Sequence, residues 1–460
     1  MQLKSIIDEV SGLRFMVNQL DIQSGVGRRM LLASEFLTSK EAIINALNHL
    51  SCVFEIAADV SKSEAICKIQ AKLAQLRDIK GSIKNLERGL SLDDIELFEV
   101  KHFAIVNEEV RLLCESIEIP STSIRPLNMV IELLDPEGNQ VPSFYVYDSY
   151  SKELSALRKQ IKQTNDDQKL LELYDAANAI EDSVRENLSK ELKNYCISLN
   201  TSLDALGNLD ILIAKAKQAK QHELVCPTIT DTETCYEGLF NPQVKTILTN
   251  IGRQYQPVDI SLNNGITLIS GANMAGKTVL LKTLALSQYL CQFGFFVPAQ
   301  KATLTVISKV ITSIGDDQSE LKGLSAYGAE ILKVNQIVTT AKSDKHILVL
   351  VDELARTTNP TEGKAIVTAT TNLLNDLGIR GIITTHYSGI QSTCRKLRVK
   401  GFAQNVTEAV TIHNITDFID YSLIDDTTGI APQEALRIAE LLGVDSELLE
   451  RAKAEVQKGS

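Results

Sequence analysis

The sequence predicts a multidomain chain in which an all-α region precedes an α/β domain that closes in a further helical segment. Three observations carry this reading. The 460 residues exceed what one hydrophobic core usually organises. Apolar residues recur at helical spacing through most of the first half. From Cys226-Pro227 onward, short β-prone apolar runs alternate with helical ones, the pattern of parallel β-α units.

Composition narrows the class. Hydrophobic residues at 44% and charged residues at 23% are ordinary globular values and exclude a largely disordered chain. No run approaches the roughly 20 apolar residues of a membrane span. Acids stand near the N-terminus where an export signal needs an apolar run, so a cytoplasmic protein with no membrane partner is expected. Eight scattered cysteines without a C-x-x-C pair fit reduced thiols better than a disulfide framework or a zinc site. The net charge of −11 means that nucleic acid would have to be met by a local basic surface. With no tryptophan and aromatics at 5%, base stacking on a wide aromatic surface is disfavoured.

Taken in order, residues 1–128 are expected to form a helical core domain. Ala42, Ile43, Ala46, Leu47 and Leu50 make one apolar stripe, and Leu73, Leu76, Ile79, Ile83 and Leu86 a second. A region over 129–225 follows. Met129–Leu134 and Phe144–Tyr147 are β-prone, and Asp135-Pro136-Glu137-Gly138-Asn139 between them is turn chemistry, which predicts a hairpin. From Asp148 to about Lys220 the pattern is helical, with a bend at Gln163–Asp167. The mixed charges fit solvated helices or levers between the ends of the molecule. The α/β domain is expected over 226–428, with strands at Ile266–Ser270, Ile347–Val351 and Gly381–Thr385. Residues 429–460 return to helix, with apolar stripes on either side of Gly443.

The strongest motif is Gly271-Ala272-Asn273-Met274-Ala275-Gly276-Lys277-Thr278, which matches G-x-x-x-x-G-K-[ST] between a strand and an apolar helix. Small residues let successive backbone N–H groups curl around phosphate oxygens, and the helix N-terminus adds positive potential. Lys277 is positioned to reach the β and γ phosphates of ATP, and the Thr278 hydroxyl to ligate Mg²⁺. Ile347–Val351 runs straight into Asp352-Glu353. Asp352 suits the metal's water shell, and Glu353 suits a general base for an attacking water. Gly381–Thr385 delivers His386 to the same sheet edge, either as a packing or capping group or as a sensor of the γ-phosphate.

Together with this loop, Phe296-Val-Pro-Ala299, Asp352-Glu353-Leu354, Asn359-Pro-Thr-Glu-Gly363 and Thr384-Thr-His-Tyr387 resemble the ATPase domain of the MutS family. Ile314-Gly-Asp-Asp-Gln-Ser319, Leu324-Ser325 and residues 278–283 are most similar to the second bacterial MutS branch, linked to recombination control and ribosome rescue. The likeness is strong over 226–460 and weaker upstream. There, Gly25-Val-Gly-Arg-Arg-Met30 resembles the opening of the family's helical core and Leu203-Asp204-Ala-Leu206 its returning lever helix. The C-terminal segment resembles the family's closing helix-turn-helix. The resemblance implies an ABC-type P-loop ATPase that works as a homodimer or as a heterodimer with a MutS-like chain. Each nucleotide would then be completed in trans by Ser325 of the other chain; a loop or N-cap serine is the plainer reading of that residue. ATP would close the dimer and hydrolysis would open it.

Several positions depart from the family pattern. Ala272 replaces Pro and Ala275 replaces Gly, and a methyl at 275 requires φ below zero. Ala355 and Thr357 replace glycines after the acid pair, so a stiffer loop and slow turnover are expected. No Phe-x-Glu mismatch-reading motif occurs, the clamp is expected to be reduced or absent, and a nuclease domain is not expected. Two functions remain open. One is a mismatch-repair or DNA-transaction ATPase. The other is a protein-remodelling accessory ATPase for a client such as a cobalamin-dependent amino-acid mutase. Lys215, Lys217 and Lys220 form the clearest basic cluster, which implies at most weak DNA binding.

Overall fold

The computed structural model describes residues 1–119, 123–139, 141, 143–271, 275–314, 326–356, 358–402, 415–426 and 434–459. The chain divides into two compact units. One comprises residues 1–19, 35–48 and 219–460, and the other residues 20–34 and 49–218. Residues 1–19 and 35–48 therefore group with the α/β region rather than with the helices that follow them.

The second unit is helical. Asp94–Ser116 is one of its long helices, opened by a capping box in which Asp93 and Glu96 satisfy each other's backbone N–H groups. The apolar stripe from Leu73 to Leu86 is buried as expected. It is shared between the helices Ser63–Leu73 and Lys80–Glu87, with Leu76 and Ile79 in the link between them. Another helix, Gly25–Ala33, is capped by Ser24, whose hydroxyl accepts from the Gly27 N–H. The fully buried Asp210 accepts in turn from the backbone N–H groups of Gln23 and Ser24 and from the Ser24 hydroxyl, at 3.0, 2.7 and 2.6 Å. The helices Lys152–Gln163 and Asp167–Leu192 meet at the expected bend, where the Asp166 side chain accepts from the N–H of Gln168 and Lys169.

The hairpin expected at 129–147 is not there. Asn128–Leu134 is a helix, and Phe144–Tyr147 belongs to no strand. The run is apolar and β-prone in sequence, but Val130 and Leu134, one helical turn apart, are its buried positions. The turn residues instead end the helix. Tyr147 is fully buried and donates its hydroxyl to Asp135 at 2.9 Å, which ties the returning chain to that helix end.

The first unit carries two sheets. The strands in chain order are β1 (Thr228–Thr230), β2 (Thr234–Leu239), β3 (Val258–Leu262), β4 (Ile266–Ser270), β5 (Lys301–Thr305), β6 (Lys309–Ser313), β7 (Ile347–Val351), β8 (Arg380–Thr385), β9 (Arg395–Phe402) and β10 (Ile419–Asp425). A four-stranded sheet runs β1-β5-β2-β3, and a six-stranded sheet runs β10-β9-β4-β8-β7-β6. In the larger sheet β9, β4, β8, β7 and β6 are parallel, and β10 closes the edge antiparallel to β9. β4 and β7 are buried at every position, which is why both read as unbroken apolar runs. The helix Lys277–Gln292 is buried almost all round. Its side chains pack partly against the N-terminal segment: Phe36 lies edge-on to Tyr289 and Phe293, and Gln292 donates to the Leu37 carbonyl at 2.6 Å. No single helix among the described residues is long and apolar enough to cross a membrane.

Candidate active site

Parallel strands deliver their C-terminal ends to one edge, and in open α/β sheets that edge is where ligands bind. Ser270 pairs with Thr385, and Val351 with Ile383. The residues that follow these strands, Gly271, Asp352 and His386, therefore emerge on the same side. A cavity of about 950 Å³ opens there, lined by Gly276, Lys277, Thr278, Asp352, Glu353 and Tyr421 among others.

Gly276 precedes the helix with φ of +74°, a left-handed conformation that glycine adopts without cost. A Cβ at this position would lie 2.9 Å from the Tyr421 ring, so close approach as well as backbone shape requires glycine. Ala275 is buried. Ala272, Asn273 and Met274 lie outside the described residues, as do Ser325 and Thr357.

The helix sets Lys277 and Thr278 into the cavity. The Lys277 side chain is only 5% exposed; its ammonium donates to the Gly271 carbonyl and lies 3.9 Å from Glu353 Oε1. Burial pushes its pKa below the ordinary lysine value, opposed by the charges of Glu353 and Asp352. Thr278 Oγ1 donates to Asp352 Oδ2 at 2.5 Å, and Thr384 Oγ1 donates to Asp352 Oδ1 at 2.6 Å. Thr384 also accepts from the Glu353 N–H at 2.8 Å, so one strand-end hydroxyl fixes both acids.

The turn after β7 is unusual. Glu353 and Ala355 both have positive φ, +49° and +62°. Non-glycine residues in this region cost roughly 1 kcal/mol each and need outside support. Here the support comes from the Thr384 hydroxyl, from Glu330, which accepts from the Ala355 N–H, and from Tyr387, which donates to the Ala355 carbonyl at 2.7 Å. Gly363 lets Tyr387 approach, since a Cβ there would lie 2.2 Å from its hydroxyl. Glu353 also has Arg356 3.7 Å from Oε2. His386 is exposed and lies against the Tyr387 ring at 4.3 Å between centroids. It does not line the cavity.

Sequence reasoning missed other residues that line the cavity. Tyr255, Gln256 and Arg356 line it, and Tyr421 comes from β10. The signal for Tyr421 was the alternating run Ile419–Asp425 around a rare aromatic.

This sheet, its glycine turn and the acids at its strand ends define an α/β domain compatible with a MutS domain V ATPase. The family model described as MutS domain V matches residues 267–458. That match and the relatives that follow are consistent with a MutS-family member. It is 34% identical over 263 residues to "Endonuclease MutS2" of Thermus thermophilus, covering 56% of this chain and 32% of that protein. It is 27% identical over 276 residues to "DNA mismatch repair protein MutS" of Shouchella clausii, covering 58% and 30%. A longer match, 25% identical over 438 residues, joins 88% of this chain to 45% of the protein of the same name from Haloquadratum walsbyi. The chain thus spans about a third of the length of the first of these relatives.

Proposed function

We propose that the α/β unit binds Mg-ATP in this cavity and hydrolyses it, as the switch of a dimeric MutS-family ATPase acting on DNA. The observation that carries the reading is the convergence of Lys277, Thr278, Asp352 and Glu353 on one cavity at the C-terminal edge of the parallel strands. The donor set fits both ligands. Lys277 supplies a buried positive charge for phosphate. Thr278 and Asp352, a hydroxyl and a carboxylate in direct contact, are the hard oxygen donors that Mg²⁺ takes directly or through water. The ion, when bound, neutralises charge that develops on the phosphoryl oxygens. Glu353 takes the proton of the attacking water, held toward the cavity by Thr384 on its backbone and by Arg356 on its carboxylate. Tyr421, against Gly276, offers a flat face for the base. Ser325 would complete the site of the other chain, and His386 would sense the γ-phosphate after a local rearrangement.

A second reading, a protein client for the same switch, is favoured by the net charge of −11. The test of the ATPase reading is Glu353→Gln. It should retain Mg-ATP binding and lose about 10²–10⁴-fold in turnover, the usual contribution of a general base. Wild-type turnover in that variant would assign the water's activation elsewhere.

A further inference from the structure

The ring of Tyr421 has no regular strand to hold it. β10 pairs with β9 through Ile419↔Phe402 and Asp420↔Gly401 and resumes at Leu423↔Val399. Three steps on β10 oppose two on β9, so one extra residue is accommodated at Tyr421-Ser422. Such a bulge breaks the ladder and re-aims a side chain, and it leaves a backbone donor to be satisfied from elsewhere.

Gln256, in the segment that leads into β3, satisfies it. Its Oε1 accepts from the Tyr421 N–H at 3.1 Å. Its Nε2 donates to Asp420 Oδ1 at 2.9 Å and to Ser422 Oγ at 3.2 Å. One amide therefore grips three consecutive residues of the bulge. Asp420 is fixed in turn: Lys400 donates to its Oδ2 at 2.6 Å, and the Ser422 N–H donates to Oδ1 at 3.0 Å. Lys400, then Ser422 and Gln256, hold its carboxyl well below the usual carboxylate range. The aimed ring ends where a Cβ on Gly276 would meet Cδ1 at 2.9 Å, and both Gln256 and Tyr421 line the cavity.

We propose that Gln256 is a positioning residue for base recognition: by bracing the β10 bulge it holds the Tyr421 ring at the base end of the nucleotide site. This rests on the reading of the cavity as an ATP site. It separates two parts of the ligand. The phosphates depend on Lys277 and Thr278, whereas the base depends on Tyr421 and, through it, on Gln256.

The experiment measures the affinity of the full chain for Mg-ATP and for Mg-tripolyphosphate, which has the phosphates and no base. Gln256→Ala, Gln256→Met, Tyr421→Ala and Tyr421→Phe are compared, with matching thermal melting as the check on folding. A base–aromatic stack is typically worth about tenfold or more in affinity. Gln256→Ala, Gln256→Met and Tyr421→Ala should each weaken Mg-ATP by about tenfold and leave tripolyphosphate unchanged, and Tyr421→Phe should bind as wild type. The double variant Gln256→Ala, Tyr421→Ala should bind no worse than Tyr421→Ala alone, because the two act through one contact. Losses that multiply in the double variant, or an equal loss for tripolyphosphate, would overturn the positioning role and leave the ATP reading intact. Wild-type affinity for both ligands in Lys277→Ala would overturn the ATP reading and this inference with it.

Discussion

Asp210 and Asp352 are both carboxylates that accept short hydrogen bonds from a hydroxyl, yet they do different work. Asp210 is fully buried and takes two of its three bonds from backbone N–H groups. Gly27 packs so close to it that a Cβ there would lie 2.8 Å from Oδ2. It is sealed inside the helical unit and holds the start of a helix. Asp352 takes its bonds from two side-chain hydroxyls, Thr278 and Thr384, and it lines an open cavity beside a buried lysine. Backbone donors commit a carboxylate to structure. Hydroxyl donors beside a cavity leave its oxygens exchangeable with a metal's water shell.

The contrast can be broken by removing each acid. Asp210→Ala should lower the unfolding free energy by about 3 kcal/mol, since each buried backbone donor left unpaired costs about 1–3 kcal/mol, with ATP affinity of the folded fraction unchanged. Denaturant titration beside nucleotide binding checks this. In Asp352→Asn the pattern should invert, with melting near wild type and Mg-dependent hydrolysis down by about tenfold to a hundredfold, the worth of one interaction with a charged group. If both variants lose only stability, the distinction between the two acids fails.

The strained turn beside Asp352 sharpens the comparison on a smaller scale. Ala355→Gly relieves the left-handed backbone, so the melting midpoint should rise by the equivalent of about 1 kcal/mol. If stiffness of this turn slows the cycle, turnover should rise a fewfold, which steady-state hydrolysis reads directly. Unchanged turnover would mean that the turn's rigidity lies off the rate-limiting step. The smallest effect is expected with DNA. Matched and mismatched duplexes in about 150 mM salt should bind weakly and alike, because phosphate contacts dominate affinity and this chain carries a net charge of −11. Tight, mismatch-selective binding would favour the DNA reading over a protein client.

What the sequence made legible follows burial. β4, β7 and β8 were readable because strands buried on both faces are continuous apolar runs, and the loop and acid pair were readable because they follow such strands. β5, Lys301-Ala-Thr-Leu-Thr305, and β2, Thr234-Cys-Tyr-Glu-Gly-Leu239, mix polar and apolar residues in a smaller sheet and went unread. The helix at Asn128–Leu134 was mistaken for a strand because the six-residue, mostly apolar run Met129–Leu134 fits either period. Tyr421, Tyr255 and Gln256 could not be tied to the phosphate loop from the sequence for another reason. They meet the phosphate loop only through tertiary pairing, with Gln256 and Tyr421 joined by a hydrogen bond across 165 positions of sequence.

The central claim is that the Gly271–Thr278 motif is a nucleotide phosphate site, and calorimetric titration of Mg-ATP into the wild type and Lys277→Ala tests it most directly. Lys277 is 5% exposed and faces the cavity, so its loss should abolish measurable binding, while circular dichroism and the melting midpoint show a folded chain. Equal ATP affinity in the two proteins would contradict the account at its base.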